Sequence, residues 1–245
     1  MEDKALLSTE VASGAEKAEL LIVIPAYNEA ENIERVVNHL TANFPQYDYV
    51  VVNDGSRDET AAICQRNGYN LLNLPVNLGL AGCFQAGMKY AWEKGYRYAI
   101  QFDGDGQHRP EYLESMIKKM EEGYDIVIGS RFVGEKKPFT MRMLGSNLIE
   151  MAIRFTTGVN IKDPTSGMRM FSKRMIREFA SGLNYGPEPD TVSYLIRQGA
   201  RVAEVPVIMD ERILGVSYLT PVNAMRYMLK MLISILLIQN FRKRR

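Results

Sequence analysis

Leu20-Leu-Ile-Val-Ile-Pro25 is a short apolar run stopped by proline, and beyond Asn28 the residues Ile33, Val36, Val37 and Leu40 fall at helical spacing. This stretch predicts strand, loop, helix. The unit recurs: Tyr49-Val-Val-Val52 ends at Asn53-Asp-Gly-Ser56, and Thr60, Ile63 and Cys64 begin a second helix. A third strand over residues 70–74 leads to the glycine-rich Asn77-Leu-Gly-Leu-Ala-Gly82 and a helix reaching Trp92. A fourth, over residues 98–102, runs into Asp103-Gly-Asp105-Gly-Gln107. Alternating strands and helices build parallel βαβ units, whose ligands bind outside the carboxyl ends of the strands. Each polar motif falls at such an end. Further strands are expected at 125–128 and 201–207, with helical stretches near 142–156 and 172–181.

The chain has 245 residues, enough to bury a sizeable core, and one domain is the better expectation. A formal net charge of +1 gives no global attraction to nucleic acid, so charge has to be read locally. Cys64 and Cys83 lack zinc-site spacing and read as buried thiols of a reducing compartment. The first twenty residues have neither a basic start nor an apolar stretch, so no signal peptide is expected and the protein is placed in the cytoplasm. From Val222 to Phe241 the pattern is helical and mostly apolar, with a polar stripe of Arg226, Lys230 and Ser234, and it ends in Arg242-Lys-Arg-Arg245. Its longest apolar run is too short to span a bilayer, so it reads as an interfacial helix with a basic end, suited to an anionic membrane surface. The alternative is a core or oligomer-forming helix.

Two carboxylates alternating just beyond a buried strand, with no basic residue before Arg109, repel each other unless a cation joins them. Magnesium or manganese fits, because hard ions take oxygen ligands and magnesium commonly combines one or two carboxylates with substrate phosphates. Gly104 and Gly106 let the backbone approach a ligand, and the Gln107 amide adds an oxygen. His108, beside a proline, reads as a loop residue and Asp58 as a helix cap. Asp54 at its strand end can accept from a base or a ribose, while Tyr27 can lie near a base and Glu29 can reach a ribose. Neither a P-loop nor the Gly-x-Gly-x-x-Gly fingerprint occurs, so kinase and dehydrogenase readings recede.

Together these motifs resemble the family 2 glycosyltransferases, in the branch of dolichyl-phosphate mannose synthase-like and bacterial undecaprenyl-phosphate glycosyltransferases. The resemblance spans about residues 20 to 220. It rests on Ile24-Pro-Ala-Tyr-Asn-Glu29, Val51-Val-Asn-Asp-Gly-Ser56, Asn77-Leu-Gly79, Asp103-Gly-Asp-Gly-Gln-His108, Gly129-Ser-Arg131, Asp163-Pro-Thr-Ser-Gly167 with Arg169, and Glu204-Val-Pro206. It implies a GT-A α/β domain over 20–220, with a mainly parallel sheet flanked by helices. A flexible segment over 1–19 precedes it and the amphipathic helix over 221–245 follows. It also implies inverting sugar transfer, from UDP-hexose or UDP-N-acetylhexosamine before GDP-mannose, to a polyprenyl phosphate at the cytoplasmic membrane face.

Carried over by position, Pro25, Tyr27, Glu29, Asp54, Gly79 and Asp103 would hold the donor, and Asp103, Asp105 and Gln107 the metal. Arg131, Arg142, Ser146 and Arg212 would receive the acceptor phosphate. Asp105, Arg131 and Asp190 are the expected catalytic residues, Asp190 standing where the branch commonly has Glu, with Glu188 as the other candidate. Tyr218 replaces a branch lysine and Asn53 a common Asp. Two alternatives stand beside this reading: transfer to a sugar hydroxyl of a growing cell-surface glycan, which needs a general base, and a non-catalytic nucleotide-sugar-binding partner of a membrane protein. A small transmembrane partner protein, or self-association through the C-terminal helix, is a further expectation.

Overall fold

Strand β1 (Leu20–Ala26) is buried along nearly its whole length, as its continuous apolar sequence requires of a strand covered on both faces. In this computed structural model, which describes residues 19–104, 106–134, 137, 140–182, 186–210 and 221–239 (without the side chains at 141, 142, 221 and 222), β1 pairs in parallel with β2 (Asp48–Asp54) and with β4 (Tyr98–Gln101). With β3 (Leu71–Leu74), β5 (Ile126–Ser130), β6 (Arg169–Ser172) and β7 (Val202–Pro206) it belongs to a seven-stranded sheet of order β3-β2-β1-β4-β6-β5-β7. Among the described strands only β6 runs antiparallel, wedged between β4 and β5. That strand is absent from the sequence expectation. Its four residues run directly into the following helix with no turn residue between them, so no local signal separates the two.

Alternation along β1 divides the core. Leu21 and Val23 face one side with Phe84 and Met88, and Leu20, Ile22 and Ile24 face the other with Ile33 and Val37. The first face is covered by α3 (Gly79–Glu93), α5 (Met141–Thr157), α6 (Lys173–Ser181) and α7 (Pro189–Arg197), and the second by α1 (Ile33–Asn43), α2 (Thr60–Arg66) and α4 (Leu113–Glu121). Helix α3 lies so close to the sheet that a Cβ at Gly87 would stand 2.3 Å from Val23 Cγ1. Cys64 and Cys83 are both buried and free.

The C-terminal helix α8 (Pro221–Ile233) continues into a π turn over Ser234–Ile238 and packs on α5, where a Cβ on Gly145 would meet Met228 Cγ at 2.8 Å. Because β6 is antiparallel, its first residue lies at the same sheet edge as the last residues of β1, β2, β4 and β5. Arg169 pairs with Gln101 in register, two residues before Asp103. The sheet therefore collects five chain segments at one edge, over the order reversal beside β1 where α/β sheets bind ligands.

Candidate functional site

A cleft of about 1570 Å³ opens at this edge. One end is made by the loops after β1, β2 and β3, and Pro25, Tyr27, Glu29, Asp54, Asn77 and Gly79 line it. Asn28 adopts the left-handed backbone region at φ 56°, and from there its amide donates to Ser56 Oγ at 3.0 Å while its side chain accepts from the Arg57 amide at 2.9 Å. The Glu29 amide donates to Thr60 Oγ1 at 2.9 Å, and the Ala30 amide to Asp58 Oδ2 at 3.1 Å. Asp58 also accepts from the Thr60 amide at 3.0 Å; the N-cap of α2 is Glu59, so the residue expected as a helix cap instead ties two loops together. Burial works against its charge, but the hydrogen bonds from Thr60 and Ala30 outweigh it and hold the carboxyl below its ordinary range. Asp54 is 3 % exposed, with Oδ1 accepting from the Leu78 amide at 2.7 Å. Gly55 has φ 64°, and a Cβ there would press to 2.7 Å from the Asn77 nitrogen, so only glycine lets these loops meet.

The acidic loop comes next. Asp103 lines the cleft with its side chain 38 % exposed, and its Oδ1 accepts from Gln101 Nε2 at 3.0 Å. His108 is buried: Nδ1 accepts from the Asp103 amide at 3.1 Å and Nε2 lies 3.5 Å from Asp103 Oδ2. It closes the loop into a ring, a role that its position before Arg109 and Pro110 did not announce. A Cβ at Gly104 would come within 3.1 Å of the Pro25 carbonyl oxygen, and one at Gly167 within 3.0 Å of Asp103 Oδ2. Gln107 lines the cleft, its backbone oxygen accepting from the Asp210 amide at 3.0 Å. Asp105 lies outside the described residues. Among the described residues no group of three or more His, Cys, Asp or Glu side chains is arranged to hold a metal ion. A part-exposed carboxylate and an amide side chain, both lining the cleft from one glycine-bent loop, nonetheless offer the hard-oxygen donors that magnesium or manganese takes.

Across the cleft, Arg131 is held by Asp163. The carboxylate, fully buried, accepts from the Arg131 amide at 3.1 Å, from Nε at 2.7 Å and from Nη2 at 2.8 Å. Glu204 fixes that segment in turn, accepting from the Lys162 and Asp163 amides at 2.7 and 2.8 Å. Two arms of the guanidinium are thus committed to Asp163, and the residue keeps a cleft-lining position. Ser146 is fully buried, its Oγ has no hydrogen-bond partner among the described residues, and it is not a lining residue, although Leu144 and Gly145 are. The Arg142 side chain and all of Arg212 lie outside the described residues.

The structure separates the two late carboxylates. Glu188 lines the cleft and accepts from the Tyr227 hydroxyl. Asp190, inside the first turn of α7, is not a lining residue. Its carboxylate accepts from Ser234 Oγ at 2.6 Å, Gln239 Nε2 at 3.4 Å and its neighbour's amide at 2.8 Å. Ser234 is accordingly buried, not part of an exposed stripe with Arg226 and Lys230. Arg169, 3 % exposed, donates Nη2 to the Pro164 carbonyl at 2.6 Å, while Nε and Nη1 have no hydrogen-bond partner among the described residues. Burial lowers its pKa from the ordinary value, opposed by Tyr227, Glu188, Asp163 and Asp103 around it. The remaining wall is apolar: Leu144 and Leu148 of α5 face Met225, Met228, Leu229 and Leu232 of α8.

Residues 21–179 match the sequence profile of Glycosyl transferase family 2. The polyprenol monophosphomannose synthase of Mycolicibacterium smegmatis is 31% identical over 223 residues, covering 86% of this chain and 84% of that one. The undecaprenyl-phosphate mannosyltransferase of Micrococcus luteus is 31% identical over 81% of this chain and 86% of its own. The UDP-N-acetylglucosamine–dolichyl-phosphate N-acetylglucosaminyltransferase of Methanococcus voltae is 29% identical over 77% and 84%. Among solved structures, glucosyl-3-phosphoglycerate synthase from Mycobacterium tuberculosis, in complex with Mn2+, UDP and glucosyl-3-phosphoglycerate, superimposes with a TM-score of 0.65 at 18% identity. It covers 90% of this chain and 79% of that one. The fold is GT-A-like.

Proposed function

The chain belongs to Glycosyl transferase family 2, and we propose that it transfers a sugar from a nucleotide diphosphate sugar to a polyprenyl phosphate at the cytoplasmic face of a membrane. One observation carries this reading: a single cleft runs from the polar loops around Asp54 and Asp103, past Arg131, to an apolar wall made by α5 and α8. A nucleotide sugar matches the first end, and a phosphate with a hydrocarbon tail matches the second. The names of the relatives support the lipid phosphate acceptor.

The Asp54 carboxylate has Oδ1 bound to the Leu78 amide, which among the described residues leaves Oδ2 for a ligand. That suits the single imide N–H of uracil better than the paired donor edge of guanine, and so favours UDP-hexose or UDP-N-acetylhexosamine over GDP-mannose. Tyr27 and Glu29 flank the nucleoside. Asp103, Asp105 and Gln107 would hold magnesium or manganese, which when bound offsets the charge of the leaving diphosphate.

In the reaction the bond from the anomeric carbon to the diphosphate oxygen breaks, and a bond to an acceptor phosphate oxygen forms on the opposite face. An acceptor phosphate is already anionic, so it needs orientation more than deprotonation. Arg131, locked by Asp163, supplies a fixed cation for that purpose, with Arg142 and Arg212 as the further acceptor-side residues.

The exposed apolar side chains of the two wall helices, those at the cleft included, support work at a membrane surface. Leu144, Leu148, Met151 and Phe155 recur along α5, and Met225, Leu229 and Ile233 along α8, at 38 to 84 % exposure. Among the described residues no helix is long and apolar enough to cross a membrane. The test is direct: purified protein, Mn2+, undecaprenyl phosphate and a panel of UDP- and GDP-sugars, with product followed in the lipid phase. Label in the lipid phase from a UDP-sugar is the expected result. Label appearing only on glycan hydroxyl acceptors would overturn the choice of acceptor.

A further inference from the structure

The C-terminal helix reaches the polar part of the cleft as well as its apolar wall. Tyr227, on α8, donates its hydroxyl hydrogen to Glu188 at the start of α7, and both residues line the cleft. Burial, and then the adjacent Glu188 carboxylate, push the Tyr227 phenol above its ordinary range, so it remains a protonated donor. About two turns further along, Ser234, and beyond it Gln239, donate to Asp190. Three bonds from one C-terminal segment therefore grip the first turn of α7 on both sides of Pro189. A proline at this point removes an amide donor and fixes the backbone entry to the helix, leaving side-chain bonds to set where Glu188 points. Of the cations in the vicinity, Arg169 donates Nη2 to Pro164 and acts on Glu188 through its field.

We propose that Tyr227 is a positioning residue: its hydroxyl holds the Glu188 carboxylate in the cleft, so that the C-terminal helix sets the geometry of the acid facing the donor sugar. This rests on the sugar-transfer reading above. It makes the helix whose outer face is apolar a structural part of the reaction site, and it explains why the acid that enters the cleft is Glu188 while Asp190 serves as an anchor for the π turn.

The experiment compares wild type, Y227F, E188Q and the double variant, each as the full chain. Y227F removes one hydroxyl and keeps the ring. Hydrogen–deuterium exchange over residues 186–196 is read alongside transfer from the nucleotide sugars to undecaprenyl phosphate. Losing one hydrogen bond to a charged group should raise exchange in the first turn of α7 and lower kcat about tenfold, with the donor KM within about twofold. Y227F/E188Q should be no slower than E188Q alone, because the hydroxyl acts through the carboxylate. Wild-type exchange and wild-type kcat in Y227F, or fully multiplicative losses in the double variant, would overturn the proposal. Absence of transfer by the wild type from every donor would overturn the sugar-transfer reading instead, and the exchange comparison would still decide whether Tyr227 holds this turn.

Discussion

Replacing Asp163 with asparagine removes one charge from a buried pair and leaves its shape almost unchanged. The carboxylate accepts three bonds from Arg131, at 2.7, 2.8 and 3.1 Å, and is wholly shielded from solvent, whereas the Arg131 side chain is 24 % exposed. An amide can keep its oxygen toward Nε and the Arg131 nitrogen, but its NH2 group then meets Nη2 donor to donor. Breaking a buried ion pair from one side costs about 3–5 kcal/mol. The partial exposure of Arg131 lets water recover some of that, so a loss of about 2–4 kcal/mol is expected in urea unfolding. Transfer should fall further than stability implies, about a hundredfold at temperatures where the variant is folded, because the guanidinium is no longer fixed opposite the donor. The double variant R131M/D163N should regain at least half of the lost stability and none of the activity. A D163N protein within about 1 kcal/mol of wild type and equally active would refute the idea that this pair orients the acceptor-side cation.

Three other outcomes are expected. Gly87→Ala should cost about 1–3 kcal/mol in thermal or urea unfolding, since the new methyl would stand 2.3 Å from Val23 Cγ1 and α3 cannot retreat without opening the core; an unchanged midpoint would mean the helix sits further out. Asp58 has a lowered pKa, so its contribution to stability is present above the ordinary carboxylate pKa and is lost as pH falls through its folded value. The stability gap between wild type and D58A should accordingly be full at neutral pH and close below about pH 4, and a gap independent of pH would contradict that role. Leu229→Glu combined with Met225→Glu should reduce flotation with phosphatidylglycerol vesicles about tenfold, because both side chains are more than half exposed on the apolar face of α8; equal flotation would exclude that face as the lipid contact.

The first four strands are readable because each is an apolar run closed by Pro, Asn, Asp or Gly, which is the signature of a parallel strand meeting a ligand loop. Strand β6 is not, since Arg169-Met-Phe-Ser172 is too short to show a period and its last residue also caps α6. The choice between Glu188 and Asp190 is likewise hidden from local pattern. It depends on Tyr227, Ser234 and Gln239, which lie about forty residues downstream and reach α7 only through the packing of the C-terminal helix. Ser234 falls in register with Arg226 and Lys230 by a 3.6-residue period, but the π turn that begins there departs from that period and turns the hydroxyl inward. His108 shows the same limit: its ring closes a loop back onto Asp103, and spacing alone says nothing of that closure.

The most direct measurement of the central claim is the product formed by purified protein given Mn2+, undecaprenyl phosphate and labelled UDP-hexoses, UDP-N-acetylhexosamines or GDP-mannose. The account expects one donor to label the lipid phase and Asp105→Asn to abolish that label in a folded protein. No lipid-linked sugar from any donor, or a folded Asp105→Asn variant with full activity, would contradict it.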